Sequence, residues 1–174
     1  MSDLSIVANK SFQLAEDARL LFDNGRFETS LSLSILSIEE AGKYLLLSKG
    51  QSIPVSEMRK HPKKQQRAAL SLLVRQMIAA TEAVKKITRP EQWLDPAFEP
   101  TTDDFEKVWR ILSLTGVLDF HRDANNGEMD RLKQAGFYID VGHERLGPDQ
   151  FRELAAKWLS VACCRFFGHE VKLT

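Results

Sequence analysis

Residues 21–47 read LFDNGRFETSLSLSILSIEEAGKYLLL, a stretch that spans the end of one predicted helix and the whole of the next. Apolar side chains recur at Leu31, Ile35 and Ile38, which is the spacing of a helix with one buried face. Gly25 interrupts the pattern, because glycine adopts without steric cost the left-handed conformation that commonly ends helices. The short link around Gly25 predicts an antiparallel pair of helices.

Outward from this hairpin, helical spacing continues along most of the chain. The other predicted helices cover about residues 4–22, 62–88 and 103–134, and a last one begins near Pro148. The buried stripe predicted for the helix at 62–88 consists of Leu70, Leu73, Val74, Met77, Ile78, Thr81 and Val84. The sequence therefore predicts an all-α bundle of about five helices.

Two segments break the helical period. Residues 89–102 contain three prolines and predict an acidic, proline-rich loop. Residues 136–142 read GFYIDVG and lie between two glycines, which predicts a short extended segment across the bundle. A chain of 174 residues has the length of one ordinary domain, so residues 1–174 are interpreted as a single domain.

The composition is that of a globular protein, and it disfavours several classes of function. Lys plus Arg number 24 and Asp plus Glu number 24, so bulk positive charge is not available for coating nucleic acid. No apolar run approaches the roughly 20 residues that span a bilayer, and the start of the chain lacks a secretory signal. The two adjacent cysteines have no metal-ligand spacing. We expect a cytoplasmic protein with no membrane contact, no metal and no cofactor.

Sequence motifs of three large enzyme classes are absent. The chain contains no G-x-x-x-x-G-K-[ST], no G-x-G-x-x-G and no G-x-S-x-G. ATP hydrolysis, dinucleotide redox chemistry and serine-hydrolase chemistry are therefore poorly supported.

The second predicted helix carries the first group of candidate residues. Glu39 borders the apolar stripe, and Lys43 follows it by four residues in the order that favours an ion pair within a helix. Glu40 is adjacent to Glu39. Gly42 lies inside the helix at a cost of about 1 kcal/mol relative to alanine, which indicates close approach of another helix. The alternative to a functional role is a helical salt bridge beside a packing glycine.

A basic cluster opens the third predicted helix. It consists of Arg59, Lys60, His61, Lys63, Lys64 and Arg67. Phosphate is attracted both by this charge and by the free N–H groups of a helix start. Histidine is the side chain best suited to proton transfer near neutral pH. The alternative is a solvated, charged turn with an exposed histidine.

Tyr138 and Asp140 in the glycine-bounded segment form a third candidate pair. Their hydroxyl and carboxylate can reach into a cleft. Residues of this kind more often fix a crossing segment to helices through buried hydrogen bonds, and that structural interpretation is favoured here.

The order of these motifs resembles the AbiV-type abortive-infection proteins, a branch of the HEPN superfamily. The resemblance covers roughly residues 15–164, and its most specific parts are the EEAGK motif at 39–43, His61 with Lys64, and Tyr138 with Asp140. It implies a HEPN-like helical bundle of four or five helices and a homodimer. It also implies a role in antiviral defence, and many HEPN proteins are metal-independent ribonucleases.

The sequence departs from the usual HEPN active site, an Arg followed four to six residues later by His. Arg59 lies only two residues before His61, and Arg110 lies eleven before His121. The His61–Lys64 pair would have to replace that motif in a nuclease. His61 would then be the base or acid, Lys43 and Lys64 would hold the phosphate, and Glu39 would orient Lys43 or His61.

The remaining candidates have lesser roles on this hypothesis. Arg59, Lys60, Lys63 and Arg67 would contact RNA, and Glu40, Tyr138 and Asp140 would support the site. The first functional hypothesis is an abortive-infection effector that cleaves or binds RNA and arrests translation. The alternative is a non-catalytic helical interaction module, or a toxin–antitoxin partner, that acts through a phage or host protein. A third hypothesis is nucleotide binding through Lys64 and Arg67 without turnover.

Overall fold

The computed structural model of the protein describes residues 3–48, 56, 60–88, 91, 99–137 and 146–163. These residues form seven α-helices and include no β-strand. In chain order the helices are α1 (Asp3–Asp23), α2 (Phe27–Leu47), α3 (His61–Thr88), α4 (Thr102–Leu114), α5 (Val117–Asn125), α6 (Glu128–Phe137) and α7 (Pro148–Ala162). The predicted all-α fold is confirmed for this part of the chain. No helix in it combines the length and the apolar character that a membrane crossing requires.

The predicted hairpin of α1 and α2 is present. Gly25 has a φ of 73°, in the left-handed region that glycine favours. The backbone N–H of Arg26 donates to the carbonyl of Leu21 at 2.8 Å and closes the turn. Farther along, the Ser37 hydroxyl on α2 donates to the Ser11 carbonyl on α1 at 2.8 Å. A serine at this contact occupies little space and gives its buried hydroxyl a partner.

Helix α2 is the central helix of the bundle, because it contacts α1, α3, α6 and α7. Its apolar residues Leu31, Ile35 and Ile38 are fully buried, as their spacing predicts. On the α7 side of the core, Trp158 is buried and meets Phe120 of α5 edge to face, with ring centroids 5.6 Å apart. Since four helices enclose α2, a polar residue on its inner faces must find its partners within the protein.

The prediction of about five helices is wrong in number, because the stretch at 103–134 forms three helices and not one. Helices α4, α5 and α6 are separated at Gly116 and Gly127, whose φ angles are 70° and 80°. Such angles turn the chain out of the right-handed helix and are adopted easily only by glycine. The apolar period continues across both breaks, so periodicity alone does not detect them.

The extended segment predicted at 136–142 is wrong at its start. Gly136 and Phe137 belong to α6, and residues 138–142 lie outside the described residues. A Cβ atom on Gly136 would overlap the Glu28 carbonyl and the Ser32 hydroxyl of α2. The glycine thus allows two helices to pack closely and does not mark the edge of a strand. Of the loop predicted at 89–102, only Glu91 and residues 99–102 are described.

Helix α3 buries a face that differs from most of the predicted stripe. Leu70, Val74, Met77 and Ile78 are exposed, and only Val84 of the predicted residues is among those classed as buried. The buried residues of α3 are Lys64, Gln65, Ala68, Ala69, Leu72, Ala80 and Val84. The packed face is therefore made mainly of small and polar side chains, which a search for large apolar residues does not find.

Candidate functional site

The carboxylate of Glu39 is the centre of the most connected polar cluster in the described part of the chain. Only 1% of Glu39 is exposed. Its Oε2 lies 2.6 Å from Nδ1 of His61 on α3. Its Oε1 accepts hydrogen bonds at 2.8 Å from Nε2 of Gln65 and at 2.8 Å from Nζ of Lys133 on α6. Residues of α3 and α6 thus converge on one buried acid of α2.

Two ammonium groups compensate the buried charge of Glu39. Besides Lys133, Lys64 on α3 places its Nζ 3.8 Å from Oε2, with 8% of its side chain exposed. A carboxylate without such partners is strongly disfavoured inside a protein. The cluster is therefore held together by charge as well as by hydrogen bonds.

Lys133 is itself shared between two acids. Its Nζ also pairs with Oδ1 of Asp130, one helical turn earlier, at 2.7 Å. Burial lowers the pKa of the Lys133 ammonium, but the hydrogen bonds and charges of Asp130 and Glu39 outweigh burial and leave the pKa raised. Lys133 consequently remains a cation at physiological pH.

Gly42 explains how α3 comes close enough to reach Glu39. A Cβ atom at this position would overlap the backbone carbonyl of Lys64. Gly42 lies three residues after Glu39, so the two residues share a face of α2. The prediction that Gly42 marks the approach of another helix is confirmed, and the helix is α3.

The hydrogen bond to Glu39 fixes the orientation of the His61 ring. An ionised carboxylate only accepts hydrogen bonds, so we assign the imidazole proton to Nδ1, which lies 2.6 Å from Oε2. Lys133 Nζ lies farther from the same nitrogen, at 3.3 Å. With Nδ1 protonated, the lone pair of the neutral ring is on Nε2. The side chain of His61 is 47% exposed, so the ring is anchored on its buried side and accessible to solvent.

The structure brings together only some of the predicted site residues. Glu39, His61 and Lys64 meet, as their interpretation as one cleft requires. Lys43 does not join them, because its Nζ pairs with Oε2 of Glu40 at 3.3 Å, and the predicted contact between Glu39 and Lys43 is wrong. Glu40 therefore supports Lys43 and not the cluster.

The basic residues of α3 divide into an inward and an outward group. Lys64 is directed at Glu39, which differs from its predicted position as a phosphate ligand. Lys60 and Lys63 are exposed near His61, at the start of α3. Arg67 is half-buried, and its Nε has no hydrogen-bond partner in the described part of the chain. Arg59, Tyr138 and Asp140 lie outside the described residues.

Sequence reasoning missed three members of the cluster, namely Gln65, Asp130 and Lys133. Gln65 had a usable signal, since it follows His61 by four residues and so lies on the same face of α3. Lys133 and Asp130 are far from Glu39 in sequence. The sequence signal that could have indicated a buried Lys133 is its position next to Leu132, within the apolar spacing of α6.

Comparison with known proteins gives one match. The model of the HEPN_AbiV family, described as AbiV, matches residues 6–151, which is most of the chain and includes every described member of the cluster. No curated protein and no solved structure matches the chain.

Proposed function

Because this chain belongs to the AbiV family of HEPN proteins, we propose that it is an effector of abortive infection in phage defence. We propose further that it cleaves RNA without a metal ion at the exposed edge of His61. The observation that carries this proposal is the 2.6 Å hydrogen bond between His61 Nδ1 and the buried carboxylate of Glu39. A histidine oriented in this way by an acid is a recurring general base in enzymes.

The arrangement supports a specific reaction. Nε2 of neutral His61 takes the proton of an RNA 2′-hydroxyl, and the 2′-oxygen attacks the adjacent phosphorus. The bond from phosphorus to the 5′-oxygen on the opposite side breaks, that oxygen takes a proton from water, and the imidazolium returns its proton to the solvent. Glu39 stabilises the imidazolium while it exists. The products are a 2′,3′-cyclic phosphate and a 5′-hydroxyl.

Charge near His61 supports binding of the phosphate. Lys60 and Lys63 are exposed at the start of α3, and the start of a helix attracts anions. Lys64 instead stabilises Glu39 through its contact with Oε2. Since the net charge of the chain is zero, RNA affinity on this proposal depends on local contacts of lysine with phosphate. Such contacts weaken as the salt concentration rises.

Replacing His61 with alanine tests the proposed reaction. We expect the rate of RNA cleavage in EDTA to fall by about 100- to 10,000-fold, the usual contribution of a general acid or base. The substrates are total bacterial RNA and a defined tRNA, and the cleaved ends are analysed for a cyclic phosphate. His121→Ala is the matched control, because His121 on α5 hydrogen-bonds with Asn125 and does not belong to the Glu39 cluster.

Circular dichroism and elution volume show first whether each variant is folded. Equal cleavage by His61→Ala and the wild type would contradict the proposed site. Another outcome is that the wild type shows no cleavage while cells carrying His61→Ala retain phage defence. That pair of results would contradict the proposed ribonuclease activity and favour an interaction module.

The second candidate function is that interaction module, and an exposed apolar face favours it. Met77 of α3 lines a depression together with Phe105 and Trp109 of α4, and all three are about half exposed or more. An apolar patch of this kind is typical of a contact with another protein, here a phage or host partner or a second copy in a homodimer.

Trp109→Glu tests this apolar face. We expect it to change the elution volume of a homodimer to that of a monomer, or to abolish defence in cells without affecting the Glu39 cluster. An unchanged assembly state together with unchanged defence would rule out a role for this face.

A further inference from the structure

The cluster contains a set of atoms that is suited to a metal ion. One ligand atom each from Glu39, His61 and Asp130 lies within 4.8 Å of the other two. Two carboxylates and an imidazole are a common ligand set for divalent ions such as Zn²⁺. Lys133 Nζ, however, lies 2.8 Å from Glu39 Oε1, 2.7 Å from Asp130 Oδ1 and 3.3 Å from His61 Nδ1.

We propose that Lys133 is a positioning residue, a built-in cation that occupies the place of a divalent metal and thereby keeps Glu39 directed at His61. Its effect on RNA cleavage rests on the proposed function. Its effects on metal exclusion and on the His61 ring do not, so the two can fail separately.

Contacts between α6 and α2 fix the backbone of Lys133 and so restrict the position of its ammonium group. The Ser32 hydroxyl of α2 donates to the carbonyl of Lys133 at 2.8 Å. Three residues later, Gly136 brings α6 so close to α2 that a Cβ atom would overlap its backbone. Only 9% of the Lys133 side chain is exposed. The contacts of the Lys133 carbonyl and of Gly136 with α2 therefore hold the lysine in the space between Glu39 and Asp130.

The hydrogen bonds of the two Glu39 oxygens show how Lys133 positions the carboxylate. Oε1 accepts from Lys133 and Gln65, while Oε2 accepts from His61. Without Lys133, Oε1 keeps only the amide of Gln65, and the carboxylate can rotate or take up another cation. Rotation would move Oε2 away from Nδ1 of His61, and a metal ion bound by Glu39, His61 and Asp130 would make the imidazole a ligand. The lone pair of the ring would then no longer be held on the exposed nitrogen.

Lys133→Ala tests the inference without RNA. We expect this variant to bind Zn²⁺ at one ion per chain at least tenfold more tightly than the wild type, as titration calorimetry measures it. Adding Asp130→Asn to Lys133→Ala should abolish the gain, because it removes one of the three ligands. Lys107→Ala is the matched control, since Lys107 pairs with Asp103 on the exposed surface of α4, and it should leave Zn²⁺ binding unchanged.

Nitrogen NMR gives the readout that a merely structural role would not move. In the metal-free wild type, at a pH where imidazole is neutral, His61 should carry its proton on Nδ1. In metal-free Lys133→Ala the ring should show a mixture of both tautomers. Ethylammonium, which fills the space of the missing side chain, should restore the Nδ1–H form and weaken Zn²⁺ binding. His61→Ala assigns the signals.

Several results would overturn the inference. They are equal Zn²⁺ binding by the wild type and Lys133→Ala, an unchanged tautomer in the variant, or no response to ethylammonium. If Lys133→Ala does not fold, Lys133→Met preserves the volume of the side chain and allows the same tautomer measurement. If the wild type cleaves RNA, Lys133→Ala should be slower by about 10- to 100-fold, the usual effect of a residue that orients a ligand or catalytic group.

Discussion

Replacing Glu39 with alanine is expected to lower the free energy of unfolding by about 3–5 kcal/mol, the usual loss when one partner of a buried ion pair is removed. The variant leaves Lys133 and Lys64 buried without the carboxylate that lies 2.8 Å and 3.8 Å from their ammonium groups. It also leaves the amide of Gln65 without its acceptor. Each of these groups would be desolvated with no compensation from Glu39.

Urea unfolding followed by circular dichroism measures this loss, and Glu40→Ala is the matched control. Glu40 is the next residue of α2, but its partner is the partly exposed Lys43 at 3.3 Å. Such pairs contribute at most about 1 kcal/mol. Similar losses for the two variants would mean that the buried cluster adds no more stability than a surface pair, which would contradict the described role of Glu39.

Replacing Gly42 with alanine is expected to lower the free energy of unfolding by at least about 2 kcal/mol, as overpacking does in a tight core. The added methyl group would overlap the carbonyl of Lys64, which is backbone and cannot rotate away. At an unobstructed helix position the same change would stabilise the protein by about 1 kcal/mol. The sign of the effect therefore reports the contact between α2 and α3.

Gly147→Ala provides the comparison for Gly42→Ala. A Cβ atom at Gly147 meets nothing closer than the side chain of Gln150, at 3.9 Å, and its φ of −71° suits any residue. We expect a change of less than about 1 kcal/mol there, the size of an N-cap effect. Separation of α3 from α2 in Gly42→Ala should also release His61, so any RNA cleavage should fall with stability. A stabilised Gly42→Ala variant would contradict the close helix contact.

The helices of this chain could be predicted where local signals agree. In the hairpin of α1 and α2 the apolar period and Gly25 indicate the same boundary, and the structure has it there. At Gly116 and Gly127 the signals conflict, because the apolar period continues through both glycines. The helix ends at each of these glycines, since a left-handed turn there lets the three short helices pack around the core as separate elements.

The face that α3 buries could not be read from apolar spacing. Its large apolar residues, such as Met77 and Ile78, are exposed, whereas Ala68 and Ala69 are buried. At Gly42 the backbone carbonyl of Lys64 leaves no room even for a Cβ atom, so the two helices lie too close there for a larger side chain. Packing against a neighbouring helix decided this face, and that neighbour is not part of a local pattern.

The sequence by itself determined the helical class of this protein and marked Glu39, Gly42, His61 and Lys64 as unusual, because helix periodicity, glycine inside a helix and a run of basic residues are local properties. Only the tertiary structure decided which residues pair with Glu39. Glu39 has Lys43 four residues away, yet it pairs with His61 and Lys133, which are 22 and 94 residues distant. Burial is the reason. A carboxylate enclosed by α2, α3 and α6 must be compensated by whatever cations the packing brings to it, while Lys43 lies toward Glu40.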